Sequence, residues 1–295
     1  MPHTMSRMGD VLAGFHAAWE FESDSVLIRY ERGIRTPKLF QALGERRVPL
    51  EAIEGVTLTP GRRGTVVLRV EPRAGADPLI EAAAGQLKEG GDPYRLVLPA
   101  ERATLAEYCA DELRALLTES GKTERYLVAP PEAPLHFKAY DGKASFDGEA
   151  VSFRWSWTGA SSAKWKAGDQ SFPVAGLGGV EWRSPEMFEG YLRLLPRDAD
   201  PSAAPAVPQA DQDPAAVVFG LGYGPVHESL PFAAAVLAAV RERSASTPVP
   251  VPVPAPRRDP ADIAERIRHL GELHQQGLVT DEEFSSKKAE LLAEL

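Results

Sequence analysis

The densest run of chemically capable side chains lies between residues 29 and 47. There Arg29, Arg32, Arg35, Lys38, Arg46 and Arg47 are offset only by Glu31 and Glu45. Guanidinium groups present a fixed fork of donors and an ammonium a compact charge, so a loop of this composition can gather phosphate or anionic headgroups. The plainer role for the same charges is a solvated loop that keeps the chain soluble.

Other groupings are weaker. Gly220-Leu221-Gly222-Tyr223-Gly224 lies between a strand-like and a helical run, as a dinucleotide loop does, but its third glycine is misplaced for G-x-G-x-x-G and Pro225 follows it. A plain strand-to-helix turn fits better. Of the six histidines, His269 and His274 come nearest to a metal-ligand spacing, and five residues on a helix leave their rings about 140° apart. Gly-x-Ser-x-Gly, P-loop and His-Glu-x-x-His patterns are absent. The single cysteine, Cys109, falls among Leu105, Tyr108, Leu113 and Leu116 at helical spacing, which reads as core, and one thiol excludes an intramolecular disulfide or a multi-thiolate metal site. Trp155, Trp157, Trp165 and Trp182 would suit a partner surface, yet aromatics of one parity along a strand read first as core. No catalytic residue, cofactor or metal ligand is predicted.

The elements that would position these groups come in duplicate. Glu20 to Tyr30 is echoed by Ser145 to Trp155, with Phe, Val, Arg and an aromatic in matching places, and Pro49 to Val56 is echoed by Pro173 to Val180, both at an offset of about 125 residues. In the first copy, alternation marks a hairpin over Val11 to Tyr30, and Gly33 to Gly44 reads as irregular because Pro37 breaks regular pairing. Short strands follow at Arg46–Leu50, Gly55–Thr59, Thr65–Glu71 and Tyr94–Leu98, and then a helix from about Ala100 to Leu117. The second copy runs in the same order. Its strands are predicted at Leu135–Tyr140, Ala144–Phe146, Ala150–Trp157, Phe172–Val174, Val180–Trp182, Tyr191–Leu195 and Ala215–Phe219, with Phe153, Trp155 and Trp157 on one face. A helix from Val226 to Arg243 closes it. Antiparallel strands closed by one amphipathic helix are the pattern of a pleckstrin-homology-like (PH-like) barrel.

Downstream, prolines at every second position from Pro248 to Pro256 favour an extended spacer of roughly 28 Å. Residues 259–295 then carry two helical patterns, the second opened by a capping box at Thr280 to Glu283. Two such helices are too small to stand alone without a disulfide or metal. Ile263, Ile267, Leu270, Leu273, Leu278, Phe284, Leu291 and Leu292 are the residues expected to find another copy or a docking partner.

Ile267 to Leu292 resembles the bacterial SHOCT (short C-terminal) domain, through Gly277, Leu278, Thr280, Glu283, Phe284, Lys288, Leu291 and Leu292. That resemblance implies oligomerisation or docking and no reaction. The duplicated region resembles domain of unknown function 4429, through Phe146 to Gly148, Val48 to Ile53, Gly179 to Trp182 and Asp92 to Leu96, with Phe21-Glu22-Ser23 departing from the Phe-Asp-Gly turn. The resemblance brings no catalytic residues with it.

Composition fits this organisation. A chain of 295 residues, 43% hydrophobic and 25% charged, accommodates two ordinary domains and an appendage. Its net charge of −9 argues against nucleic acid as a partner. No long apolar run follows a basic cluster near Met1, Met5 or Met8, and the most apolar stretch, Pro231 to Val240, is too short to cross a bilayer, so a cytoplasmic location is expected. The expected fold is α+β: PH-like repeats at 9–120 and 133–243, each a barrel closed by a C-terminal helix, a Pro-rich linker at 244–258 and a helical hairpin at 259–295. The expected function is a non-enzymatic intracellular scaffold that binds protein partners and forms homo-oligomers through its tail. The alternative is a peripheral membrane module using the basic loop of the first repeat.

Overall fold

Alternating apolar and polar residues build the first sheet in the computed structural model, which describes residues 10–186, 190–197, 209–220 and 226–246, together with 268, 270, 271, 274 and 280–292. Asp10–Ala13 (β1), Ala17–Phe21 (β2), Ser25–Tyr30 (β3) and Glu45–Pro49 (β4) pair antiparallel in that order. The two-residue period turns Trp19, Val26, Ile28 and Val48 inward. Between β3 and β4, where the sequence predicts an irregular stretch, Lys38–Leu43 forms a short helix (α1). Pro37 stands at its N-terminal boundary, where a missing N–H is no loss, and burial of Leu39 and Phe40 holds it in place.

Ile53–Pro60 (β5), Thr65–Pro72 (β6) and Arg95–Pro99 (β7) make a second, three-stranded sheet. Pro78–Ala83 (α2) interrupts it. Asp77 caps this helix by accepting from the Leu79 amide at 2.8 Å, and Ala84 ends it in the left-handed region at φ 46°. Ala103–Leu116 (α3) lies on β5 and β6. Its buried face is Ala106, Cys109, Ala110 and Leu113, whereas Leu105, Tyr108 and Leu116, expected on the apolar side, are exposed. The helix is turned so that Ala106 and Ala110 meet the sheet, which centres the contact face about 90° from Leu105.

The second repeat follows the same plan. Leu135–Lys138 (β8), Gly142–Phe146 (β9), Ala150–Trp155 (β10) and Gln170–Pro173 (β11) form a four-stranded sheet, with Ser162–Ala167 (α4) before β11. Leu177–Arg183 (β12), Tyr191–Pro196 (β13) and Ala216–Val218 (β14) form a three-stranded one. Register repeats as well as order. Phe21 faces Val26 as Phe146 faces Val151, and the irregularity between Ile53 and Gly55 recurs between Leu177 and Gly179. The hairpin turn forms in both copies, although only the second has Asp147 accepting from the amides of Glu149 and Ala150, each at 2.8 Å. Trp157 leaves the predicted face because β10 ends at Trp155. The architecture is therefore mixed α+β, with antiparallel sheets and no closed barrel among the described residues.

Val226–Ser246 (α5) joins the two repeats. It packs on β8 and β12 of its own repeat and on α1 and α2 of the first, so Leu230, Phe232, Ala233, Ala234 and Val236 are all fully buried. Phe232 meets Phe137 edge-on at 5.0 Å. Full burial of such a side chain is worth about 1.5–3 kcal/mol, and runs of alanine let neighbouring backbones come close. Residues 1–246 accordingly form one compact unit and residues 247–295 another. In the latter, Asp281–Leu292 (α6) starts where the capping box predicts, with the Phe284 amide bonding the Thr280 carbonyl at 2.9 Å. No described helix is long and apolar enough to cross a membrane.

Candidate functional site

The six basic residues from Arg29 to Arg47 are not held as one cluster. Arg29 and Arg47 lie on the outer face of the first sheet, Arg29 paired with Glu20 and Glu45 and Arg47 with Glu22. Arg46 points the other way. It shares strand parity with Val48, and its side chain is 4% exposed, 2.8 Å from Asp77. Arg32, Arg35 and Lys38 remain exposed around Ile34, a fully exposed isoleucine, without an ion-pair partner among the described residues. Of the six, only those three are left to meet an anion on this loop.

Arg46 belongs to a buried polar node. Tyr94 donates to Asp77 Oδ2 at 2.5 Å, Arg46 to Asp77 Oδ1, and Tyr30 donates to the Pro93 carbonyl at 2.7 Å. Burial pushes both tyrosines well above their usual range. Burial alone would lower Arg46, but the adjacent Asp77 outweighs it and the guanidinium stays charged. The second repeat buries a different pair. Lys164 Nζ lies 2.5 Å from Asp141 Oδ2 and 2.8 Å from the Ala216 carbonyl, while Asp141 Oδ1 accepts from the Val218 amide at 3.0 Å. Burial raises the Asp141 carboxyl and lowers the Lys164 ammonium, each opposed by the partner's charge.

The Asp-Pro pairs at 92–93 and 213–214 have a common cause. Each aspartate tucks the turn by accepting a backbone amide, Tyr94 at 3.0 Å or Ala215 at 2.8 Å, and holds an arginine of the neighbouring strand: Asp92 with Arg69 at 3.1 Å and Asp213 with Arg193 at 2.9 Å. A groove of about 820 Å³ runs over the β5–β7 sheet beside α2, lined by Arg62, Arg69, Ile80, Tyr94 and Arg95. Asp92 and Glu89 already neutralise Arg69 and Arg95 there.

Contacts between the repeats are polar at the rim. The Gln86 carboxamide donates to the Trp182 carbonyl and accepts from the Ser184 amide, both at 2.9 Å. Arg241 grips Glu81 with two bonds of 2.8 and 2.9 Å and lies 3.9 Å from the Tyr126 ring centroid. Trp182 is core, its indole bonding Ser229 at 3.1 Å. Trp155 is half-buried. Trp157 and Trp165, by contrast, are 83% and 53% exposed and meet edge to face at 5.6 Å.

Of the remaining candidates, Gly220 closes its strand at φ 73°, whereas residues 221–225 lie outside the described residues. Burial lowers the His227 pKa at the start of α5, and nearby Lys38 lowers it too. Among the described residues no group of three or more His, Cys, Asp or Glu side chains could hold a metal ion. In the tail, His274 stacks on Phe284 at 4.7 Å and reaches Asp281 at 2.6 Å. Leu270 and Phe284 are partly buried, and Leu291 and Leu292 lie on α6. Ile263, Ile267, Leu273 and Leu278 lie outside the described residues.

A family model described as domain of unknown function (DUF4429) matches residues 19–114 and again 144–237, the first span running from within β2 to within α3 and the second from within β9 to within α5, so that β1 and β8 lie outside them. The short C-terminal domain (SHOCT) model matches residues 265–292. No curated protein matches the chain. With two matches that together span more than half of its length, the chain belongs to the DUF4429 family, in a tandem arrangement that ends in a SHOCT domain.

Proposed function

We propose that this protein is a non-enzymatic intracellular binding platform: two PH-like modules fused through α5, presented in multiple copies by association of the SHOCT tails. The observation that carries this reading is the fate of the deeply buried ionisable groups. Groups of that kind often mark active sites, but here Arg46 and Asp77 are 4% and 0% exposed, and Lys164 and Asp141 0% and 3%. Each is tied into the fold, out of reach of any substrate atom. The four-plus-three strand order with a closing helix supports the PH-like assignment of each repeat. The stacked His274 and Phe284 support a hairpin in the tail. Joining modest binding surfaces through a short spacer raises avidity without any new contact.

Light scattering tests the assembly. The full chain is expected to run as a multimer and a chain ending at Ala255 as a monomer. Equal monomers would end the role given to the tail.

A further inference from the structure

On the outer face of the β8–β11 sheet, strand pairing sets Lys138 directly opposite Lys143, and Lys143 directly opposite Arg154. Like charges facing each other across strands weaken a sheet. Neither lysine has an ion-pair partner among the described residues, and Arg154 has only Asp169, at 3.8 Å with both side chains in solvent. The adjoining row on the same face is His136, Ser145, Ser152 and Ser171, without a carboxylate.

The first repeat supplies the comparison. Its matching rows are Ala13, Ala18, Arg29 and Glu45, and Val11, Glu20, Leu27 and Arg47. There the charges alternate in sign, and Arg29 is paired with Glu20 and Glu45. The second repeat has lysines where the first has Ala13 and Ala18, and a serine where it has Glu20. Apart from Arg154 with Asp169, the cations of this row have no ion-pair partner among the described residues, and they are not a requirement of the fold.

An aromatic edge borders that row. Residues 156–161 fold back on the β8–β9 turn: the Ser156 amide bonds the Asp141 carbonyl at 2.8 Å, and a Cβ added to Gly159 would come 2.1 Å from the Tyr140 carbonyl oxygen. Exposed Trp157, Trp165 and Tyr140, with Lys166, thus stand at the end of the sheet where Lys138, Lys143 and Arg154 lie. Indoles favour the boundary between water and hydrocarbon, and clustered cations favour anionic headgroups.

We propose that this face docks on a lipid bilayer bearing anionic headgroups. Lys138, Lys143 and Arg154 meet the headgroups while Trp157 and Trp165 enter the interfacial layer. The net charge of −9 orients the encounter, because a negative membrane repels the rest of an acidic surface. The inference rests on reading the repeats as binding modules and is independent of tail association, which light scattering measures separately.

Co-sedimentation of the full chain with phosphatidylcholine vesicles, with and without phosphatidylserine, tests it. Binding is expected only with phosphatidylserine and should weaken as salt rises. Removing one charge at the surface costs about fivefold, so K138Q/K143Q/R154Q should bind about a hundredfold more weakly. R32Q/R35Q/K38Q, on the first repeat, should bind as the parent does. Quenching of tryptophan emission by bromine-labelled acyl chains should appear in the parent and vanish in W157F/W165F. All these positions are exposed, and circular dichroism confirms that each variant is folded. Parent-like binding by the first triple variant, or no binding to phosphatidylserine at low salt, overturns the proposal. So does a single-stranded oligonucleotide that binds through the same residues in place of vesicles.

Discussion

Lys164 occupies in the second repeat the place that Phe40 occupies in the first. Phe40 stacks on Tyr30 at 4.8 Å, while Lys164 sits over Trp155 at 5.0 Å and reaches past it to Asp141. One scaffold position therefore supports either an aromatic stack or a buried ion pair, and the two tolerate change differently.

Replacing Lys164 by Met leaves Asp141 as a buried charge without its counter-ion, which costs about 3–5 kcal/mol. Burial already raises the Asp141 carboxyl and Lys164 restrains it, so the variant carboxyl moves further up. A group whose folded pKa lies above its unfolded value contributes stability at low pH that is lost as pH rises through the folded pKa. Urea unfolding should therefore show a deficit against the parent that is wide at pH 7.5 and narrower at pH 5. A pH-independent deficit would contradict this account.

At Asp77 three bonds fail together: those to Arg46, to Tyr94 and to the amide of Leu79. Asp77→Ala should lower the thermal midpoint by about 10 °C, from an uncompensated buried guanidinium and a lost helix cap. Asp77→Asn keeps the cap and should fall between the two. If Asp77→Asn proved as damaging as Asp77→Ala, the cap would contribute little.

Gln86→Ala leaves the Trp182 carbonyl and the Ser184 amide without partners at the seam between the repeats. Unmet backbone groups of this kind cost about 1–3 kcal/mol. Hydrogen exchange at the Ser184 amide should accelerate tenfold or more, while amides in β2 and β3 stay as protected as before. Uniform acceleration would mean that the seam opens only with global unfolding.

The duplication and the strand order were legible because Phe, Val and Gly recur at one offset, and alternating residues then fixed which side of each hairpin faces inward. The short helices α1, α2 and α4 were not, because six residues cannot carry a helical period and burial of Leu39, Phe40 and Leu79 holds the first two in place. Its neighbours in sequence place Arg46 among surface cations, although its parity with Val48 marks it as inward. The alternation in the sequence carries on to Trp157, beyond the point where the strand ends. Lys138, Lys143 and Arg154 are scattered along the sequence, and only the pairing of three strands sets them side by side.

The joining helix α5 also fixes an order of events during synthesis. It is the last part of residues 1–246 to leave the ribosome, yet the first repeat relies on it to cover α1 and α2. At about 5–20 residues per second, α2 emerges on the order of ten seconds before its cover does. A nascent chain stalled in that interval offers chaperones the apolar flank of its first half, and a message truncated before residue 226 yields a product whose first half stays uncovered.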